Sequence, residues 1–214
     1  MGSLWLRYLF FAVIVRPVLL LVLGLNVRNR SRLPQQGPAI IVANHNSHLD
    51  TLALMTLFPF SMLKDIHPVA AADYFLRTPL RSWFARSVIG IIPLNREIKT
   101  SHHDPFAEAS RALEQGKILL LFPEGSRGAP EKMGELKSGV SHLARRHPEV
   151  PVIPVFMHGL GKALPKGEGL LVPFFCDVFI GEPVCWPGDR QQHIDLLTER
   201  FKELDAQCCH SDEW

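Results

Sequence analysis

The sequence predicts an α/β domain: one mostly parallel or mixed central sheet flanked by helices, preceded by an apolar helical segment that anchors the chain to a membrane. Three observations carry this. From residue 38 onward, short aliphatic and β-branched runs alternate with longer helix-like segments, as in a sheet buried on both faces. Hydrophobic residues make up 47% of the 214 and charged residues 21%, enough for one core and too apolar for a disordered chain. Residues 4–25 are almost wholly apolar. The domain is therefore placed at 37–214, behind a membrane-associating segment and basic linker at 1–36.

In the N-terminal segment, Arg7, Arg16 and Pro17 leave two apolar runs, 8–15 and 18–25. Neither reaches the ~20 residues that span a bilayer, and an arginine at the centre of a span costs roughly 2.5 to 3.5 kcal/mol. The expected arrangement is a pair of helices in one leaflet, bent at Pro17. A signal peptide fits poorly, because Arg16 breaks its apolar region and no small-x-small site follows. The start Met1-Gly2-Ser3-Leu4-Trp5-Leu6 also lacks the Ser or Thr of a myristoylation signal. Arg28, Arg30 and Arg32 follow, which places the domain beyond them on the cytoplasmic side. Residues 1–36 hold five arginines and no acid, against 18 basic and 21 acidic residues in the remainder. A basic apolar end on a mildly acidic body suits an anionic membrane surface; nucleic acid would need a basic stripe across the fold, so no nucleic-acid partner is expected.

Strands are predicted at 39–43 (AIIVA), 66–71 (IHPVAA), 88–94 (VIGIIPL), 117–122 (KILLLF), 152–157 (VIPVFM) and 174–180 (FFCDVFI), each a short apolar run bounded by turn or polar residues. Helices are expected near 48–57, 79–86, 104–115, 135–146 and 190–206, and the Gly- and Pro-punctuated stretch 158–173 reads as a loop. Cys176, Cys185, Cys208 and Cys209 show no CxxC spacing and are read as free thiols in a reducing compartment rather than as a disulfide framework or zinc site.

The first strand ends abruptly in Asn44-His45-Asn46-Ser47-His48-Leu49-Asp50, and strand ends are where α/β domains place their sites. On a helix, His45 and Asp50 would lie about 140° apart and could not meet. They meet only if His45 precedes a helix capped by Ser47, with Asp50 in its first turn. An Asp on one imidazole nitrogen fixes the tautomer and favours the imidazolium formed when the other nitrogen takes a hydroxyl proton. That is a general base without a protein nucleophile. On spacing alone, a Ser47 capping box beside an ordinary loop histidine accounts for these residues equally well.

The fourth strand ends in Phe122-Pro123-Glu124-Gly125-Ser126-Arg127-Gly128, where the glycines let backbone amides face an anion and Arg127 can fork onto phosphate. Arg96, at the end of another apolar strand, can supply a second guanidinium. Each alone also reads as a turn or surface arginine. The chain lacks the Gly-x-Ser-x-Gly elbow, the P-loop and a strand-borne GxGxxG, which disfavours a covalent serine or a nucleotide-driven step.

Taken in order, Asn44-His45-x-Ser47-x-x-Asp50, residues 90–96, residues 122–127 and Val152-Ile153-Pro154-Val155 resemble the four blocks of the glycerolipid acyltransferases, specifically the lysophosphatidic acid acyltransferases, over residues 38 to about 160. Ser126 stands where that family usually has Thr, and Gly128 where Ser is common. The resemblance implies transfer of an acyl group from acyl-CoA or acyl carrier protein, with no further cofactor and no metal, to a membrane lipid acceptor. Lysophosphatidic acid leads, ahead of other lysophospholipids and amino-acid lipids. His45 would be the base and Asp50 its orienter; Arg96 and Arg127 would clamp the acceptor phosphate, with Glu124, Gly125 and Ser126 shaping the acceptor site. Glu124 is expected to hold an arginine or a glycerol hydroxyl, since a carboxylate beside a phosphate repels it. The expected location is the cytoplasmic face of a membrane, a bacterial inner membrane. Two other classes compete: a lipid-binding module without catalysis, and a lipid hydrolase using His45, His48 and Asp50 as metal ligands, which needs further ligands from elsewhere.

Overall fold

The computed structural model describes residues 2–72, 78–94, 104–126, 128, 133–163, 172 and 174–209. Its centre is a seven-stranded sheet built from β1 (Leu25–Arg28), β2 (Ala39–Ala43), β3 (Ile66–Ala71), β4 (Ile92–Leu94), β5 (Ile118–Leu121), β6 (Val152–His158) and β7 (Cys176–Ile180), in the order β1-β7-β6-β2-β5-β3-β4. Every neighbouring pair is parallel except β6 and β7. The expected mixed, mostly parallel α/β sheet is therefore present.

Because side chains alternate across a strand, each central strand feeds two cores. Ile41, Leu120, Ile153 and Val155 face one side, packed with Phe11, Val15, Leu19 and Leu23 from the N-terminal segment and Leu54 from α2 (Asp50–Thr56). Ile40, Val42, Leu119 and Phe156 face the other. There they meet α4 (Ala107–Glu114) through Leu113, α5 (Gly139–Arg146) through Val140 and Leu143, and the long C-terminal helix α7 (Arg190–Cys209) through Leu197, Phe201 and Leu204. This double burial is why the strands read as continuous apolar runs.

Three departures have local causes. Of the strand expected at 88–94, only β4 forms, because α3 (Pro79–Phe84) runs on through a wide turn at Ala85–Ile89 and buries Val88 and Ile89 as helical residues. Gly90 ends that turn at φ 77°, a left-handed conformation that glycine adopts without a Cβ penalty. Residues 25–28, assigned above to the membrane-associating segment and basic linker, pair with β7 as an edge strand. Within the stretch expected to be loop, Leu160–Ala163 makes one helical turn, α6; residues 164–171 and 173 lie outside the described residues.

The N-terminal segment is one continuous helix rather than a bent pair. α1 (Gly2–Phe10) continues through wide, π-type turns at Phe11–Val15 and Val18–Val22, with Pro17 itself at helical angles of φ −57° and ψ −44°. The buried stripe Arg7, Phe11, Val15, Leu19, Leu23 recurs every four residues, a spacing that drifts around a helix of 3.6 residues per turn. The two wide turns lengthen the local repeat and keep the stripe facing the sheet. By length and composition, residues 4–21 could cross a membrane, with a mean hydropathy of 1.9.

Four of the five arginines of residues 1–36 make hydrogen bonds within the protein. Arg7 donates to Ile66 O at 2.5 Å, Arg16 to Phe58 O at 2.9 Å, Arg30 to Leu57 O at 2.7 Å, and Arg32 to Ile180 O at 3.0 Å. Arg16 also lies 3.7 Å above the Phe60 ring, and Arg32 pairs with Glu182. These cations fasten the segment to the body. What the segment turns outward is apolar: Trp5, Leu9, Val13, Leu20 and Leu21 are exposed.

Candidate active site

The site grows from the adjoining ends of β2 and β5. Beyond β2, Asn44 takes over as a side-chain strand: its amide donates to Met157 O at 2.8 Å and accepts from Met157 N–H at 2.7 Å, tying the strand end to β6. The next residue, His45, leaves the sheet with its ring stacked on Phe122, centroids 4.0 Å apart and planes inclined by 18°.

His45 and Asp50 meet as the sequence required. Nδ1 of His45 lies 2.9 Å from Oδ2 of Asp50, and the same oxygen accepts from Asn46 N–H at 2.6 Å and Ser47 N–H at 2.8 Å. The expected Ser47 cap is only half formed. Asp50 bonds back to the Ser47 amide, but Ser47 Oγ accepts from Leu49 N–H at 3.3 Å rather than from Asp50, and α2 starts at Asp50. One carboxylate oxygen of Asp50 thus makes both the contact to the His45 ring and those to the amides that open α2.

With an ionised carboxylate as its partner, Nδ1 carries the proton and Nε2 is left as the acceptor. Nε2 has no hydrogen-bond partner among the described residues. The His45 side chain is 21% exposed whereas that of Asp50 is 1% exposed. Burial pushes the Asp50 carboxyl above its ordinary range, against the opposing pull of His45 and the two amides. Its second oxygen, Oδ1, is buried without a partner among the described residues.

Glu124 comes to the same point from β5. It is buried, accepting His45 N–H at 2.8 Å through one oxygen and Gly134 N–H at 2.9 Å through the other. Gly125 turns at φ 72°, its N–H donating to Phe122 O at 3.0 Å, and Ser126 is exposed beside it. Arg96 and Arg127 lie outside the described residues, so the proposed guanidinium clamp is not among the described contacts.

Sequence reasoning missed Lys137. Its N–H donates to Pro123 O at 2.9 Å, and its ammonium lies 3.0 Å from where a Cβ on Gly125 would stand. Among the described residues it has no acidic partner. No periodicity or block marked it; only the fold of residues 133–137 brings it to the Gly125 turn.

A family profile described as Acyltransferase matches residues 24–158, which span β1 through β6 and include His45, Asp50 and Glu124. The chain is 31% identical over 162 residues to the chloroplastic 1-acyl-sn-glycerol-3-phosphate acyltransferase LPAT1 of Arabidopsis thaliana, covering 75% of this chain and 43% of that protein. It is 27% identical over 179 residues to the human 1-acyl-sn-glycerol-3-phosphate acyltransferase alpha, covering 82% of this chain and 60% of that protein. It thus spans about half the length of the curated relatives it matches. Its fold is similar to the crystal structure of the 1-acyl-sn-glycerophosphate acyltransferase of Thermotoga maritima, with a TM-score of 0.68 at 23% identity, covering 94% of this chain and 79% of that one. With the profile matched over more than half its length, from the edge strand β1 through β6 and the His45–Asp50 pair, this chain belongs to the Acyltransferase family.

Proposed function

We propose that the protein transfers a fatty acyl group from the thioester of acyl-CoA or acyl carrier protein to the free hydroxyl of a lysophospholipid, first of all 1-acyl-glycerol-3-phosphate, giving phosphatidic acid. The observation that carries this is the His45 ring: Nδ1 bonded to a buried carboxylate, Nε2 without a partner among the described residues, and the side chain open to solvent on one side. The relatives' substrates support the acceptor class.

In the proposed reaction, Nε2 takes the acceptor's hydroxyl proton as its oxygen attacks the thioester carbonyl. Asp50 stabilises the imidazolium as the charge forms. When the tetrahedral intermediate collapses, the C–S bond breaks and the imidazolium returns the proton to the departing thiolate. The products are the ester and a free thiol. Arg96 and Arg127 are proposed to hold the acceptor phosphate, and Lys137 adds a third cation at the Gly125 turn.

The apolar surface fits a lipid substrate. Exposed large apolar side chains of the described residues fall in three segments, 4–21, 80–84 and 172–175. Phe10 and Phe84 stack edge to face at 5.3 Å, and Phe175 lies against Gly24, so the second segment adjoins the middle of the N-terminal helix and the third its C-terminal end. The proposed role of this face is to lie in one leaflet and hold the site at the membrane surface.

The test is an assay of detergent-purified protein with acyl-CoA and with acyl carrier protein against a panel of acceptors. Transfer to lysophosphatidic acid, and not to its dephosphorylated analogue, is expected; release of free fatty acid that a chelator abolishes overturns the reading. Within the same assay Lys137→Ala is expected to raise KM for lysophosphatidic acid by about 10-fold, the worth of one charge-assisted hydrogen bond, with little change in kcat.

A further inference from the structure

A carboxylate in a site built for phosphate needs an account, and Glu124 has one in its surroundings. Strands β2 and β5 are parallel, with Val42 opposite Leu121. Three residues past each partner stand His45 and Glu124, so the register that pairs the strands carries on to bring the two side by side. The sheet ladder has ended there, and the His45 amide would otherwise lack an acceptor. Glu124 supplies it at 2.8 Å, while Gly128 N–H donates to His45 O at 3.1 Å, so the His45 backbone is held from both sides. The other Glu124 oxygen holds Gly134 N–H at 2.9 Å, fastening residues 133–137 to the same point.

We propose that Glu124 is a positioning residue that sets the His45 ring through its backbone and touches neither substrate. Each carboxylate oxygen already accepts a backbone amide within a residue only 5% exposed, so among the described residues Glu124 is directed at the chain rather than at open solvent. Charge-assisted bonds of this kind are the stronger class. This role rests on His45 as the base, but the clamp itself is a property of the fold.

The experiment pairs steady-state kinetics with hydrogen exchange on the full chain for Glu124→Ala and Glu124→Gln. Exchange should quicken together in peptides covering 44–47 and 133–136 of Glu124→Ala, although the two segments are far apart in sequence. It is read without substrate, and on a His45→Ala background as well, so the clamp is judged independently of acyl transfer. In kinetics, kcat should fall about 100-fold, the scale of a catalytic group misplaced by roughly 1 Å, with KM for the acceptor unchanged. Glu124→Gln keeps an oxygen for one amide and should recover part of both effects; it also carries the test if Glu124→Ala does not fold. A raised acceptor KM at unchanged kcat overturns the proposal in favour of substrate contact. Unchanged exchange at 44–47, or quickened exchange with unchanged kcat, overturns it too.

Discussion

His45→Ala should lower acyl transfer by roughly 10² to 10⁴-fold, the usual contribution of a positioned general base, while the protein stays folded. The ring contributes one hydrogen bond and one stacked face and is partly open to solvent. The bonds that hold this stretch of chain in place are made by its backbone: His45 N–H to Glu124, His45 O from Gly128, and the Asn46 and Ser47 amides to Asp50. All four survive truncation to alanine, so the thermal midpoint should move by only a few degrees. Initial rates with acyl donor and lysophosphatidic acid, taken beside a thermal melt, check both halves. Near wild-type turnover by the alanine variant would falsify the assignment of the base.

What was legible in the sequence follows from what each residue's neighbours contribute. The strands β2, β5 and β6 were plain because burial on both faces leaves nothing but apolar side chains, and no other arrangement suits runs of that length. β1 escaped notice because Leu-Asn-Val-Arg at a sheet edge is half exposed and carries little apolar signal. Val88 and Ile89 were read as strand because β-branched residues suit both states, and the left-handed turn at Gly90 depends on packing that no local pattern reveals. In the site, His45 and Asp50 were visible as a pair but not decidable, since a helix cap needs the same residues. The tertiary structure sends three donors, the His45 ring among them, to one Asp50 oxygen, a convergence that no local pattern shows. Glu124 could be singled out but its two amide partners could not, because the β2–β5 register and the fold of residues 133–137 set them. The carbonyl partners of Arg7, Arg16, Arg30 and Arg32 were not legible either, because each lies 27 or more residues away in the chain.

Replacing Asp50 should cost about as much activity as replacing His45, and two variants separate its chemical from its structural role. Asp50→Ala removes the acceptor of three donors, two of them backbone amides of buried residues. Stranding those groups should cost about 3 kcal/mol of stability along with the activity. Asp50→Asn keeps an oxygen for the two amides, but it either turns its amide donor towards Nδ1, forcing the proton onto Nε2, or leaves the imidazolium without a counter-charge. Either way the base is lost, and a fall of roughly 10³-fold or more is expected. Stability should behave differently. Burial raises the Asp50 carboxyl above its unfolded value of 3.8, so between the two values the folded protein binds more protons than the unfolded chain. Its contribution is fully present below 3.8 and is lost as pH rises through the folded value. Asparagine does not titrate, so Asp50→Asn should gain on the wild type as pH rises from about 4 towards neutrality. Denaturant unfolding of both proteins at several pH values reads this directly. A variant inactive yet no less stable at neutral pH marks a carboxylate kept for chemistry at the expense of the fold; an asparagine variant as unstable as the alanine one would make Asp50 a helix cap first.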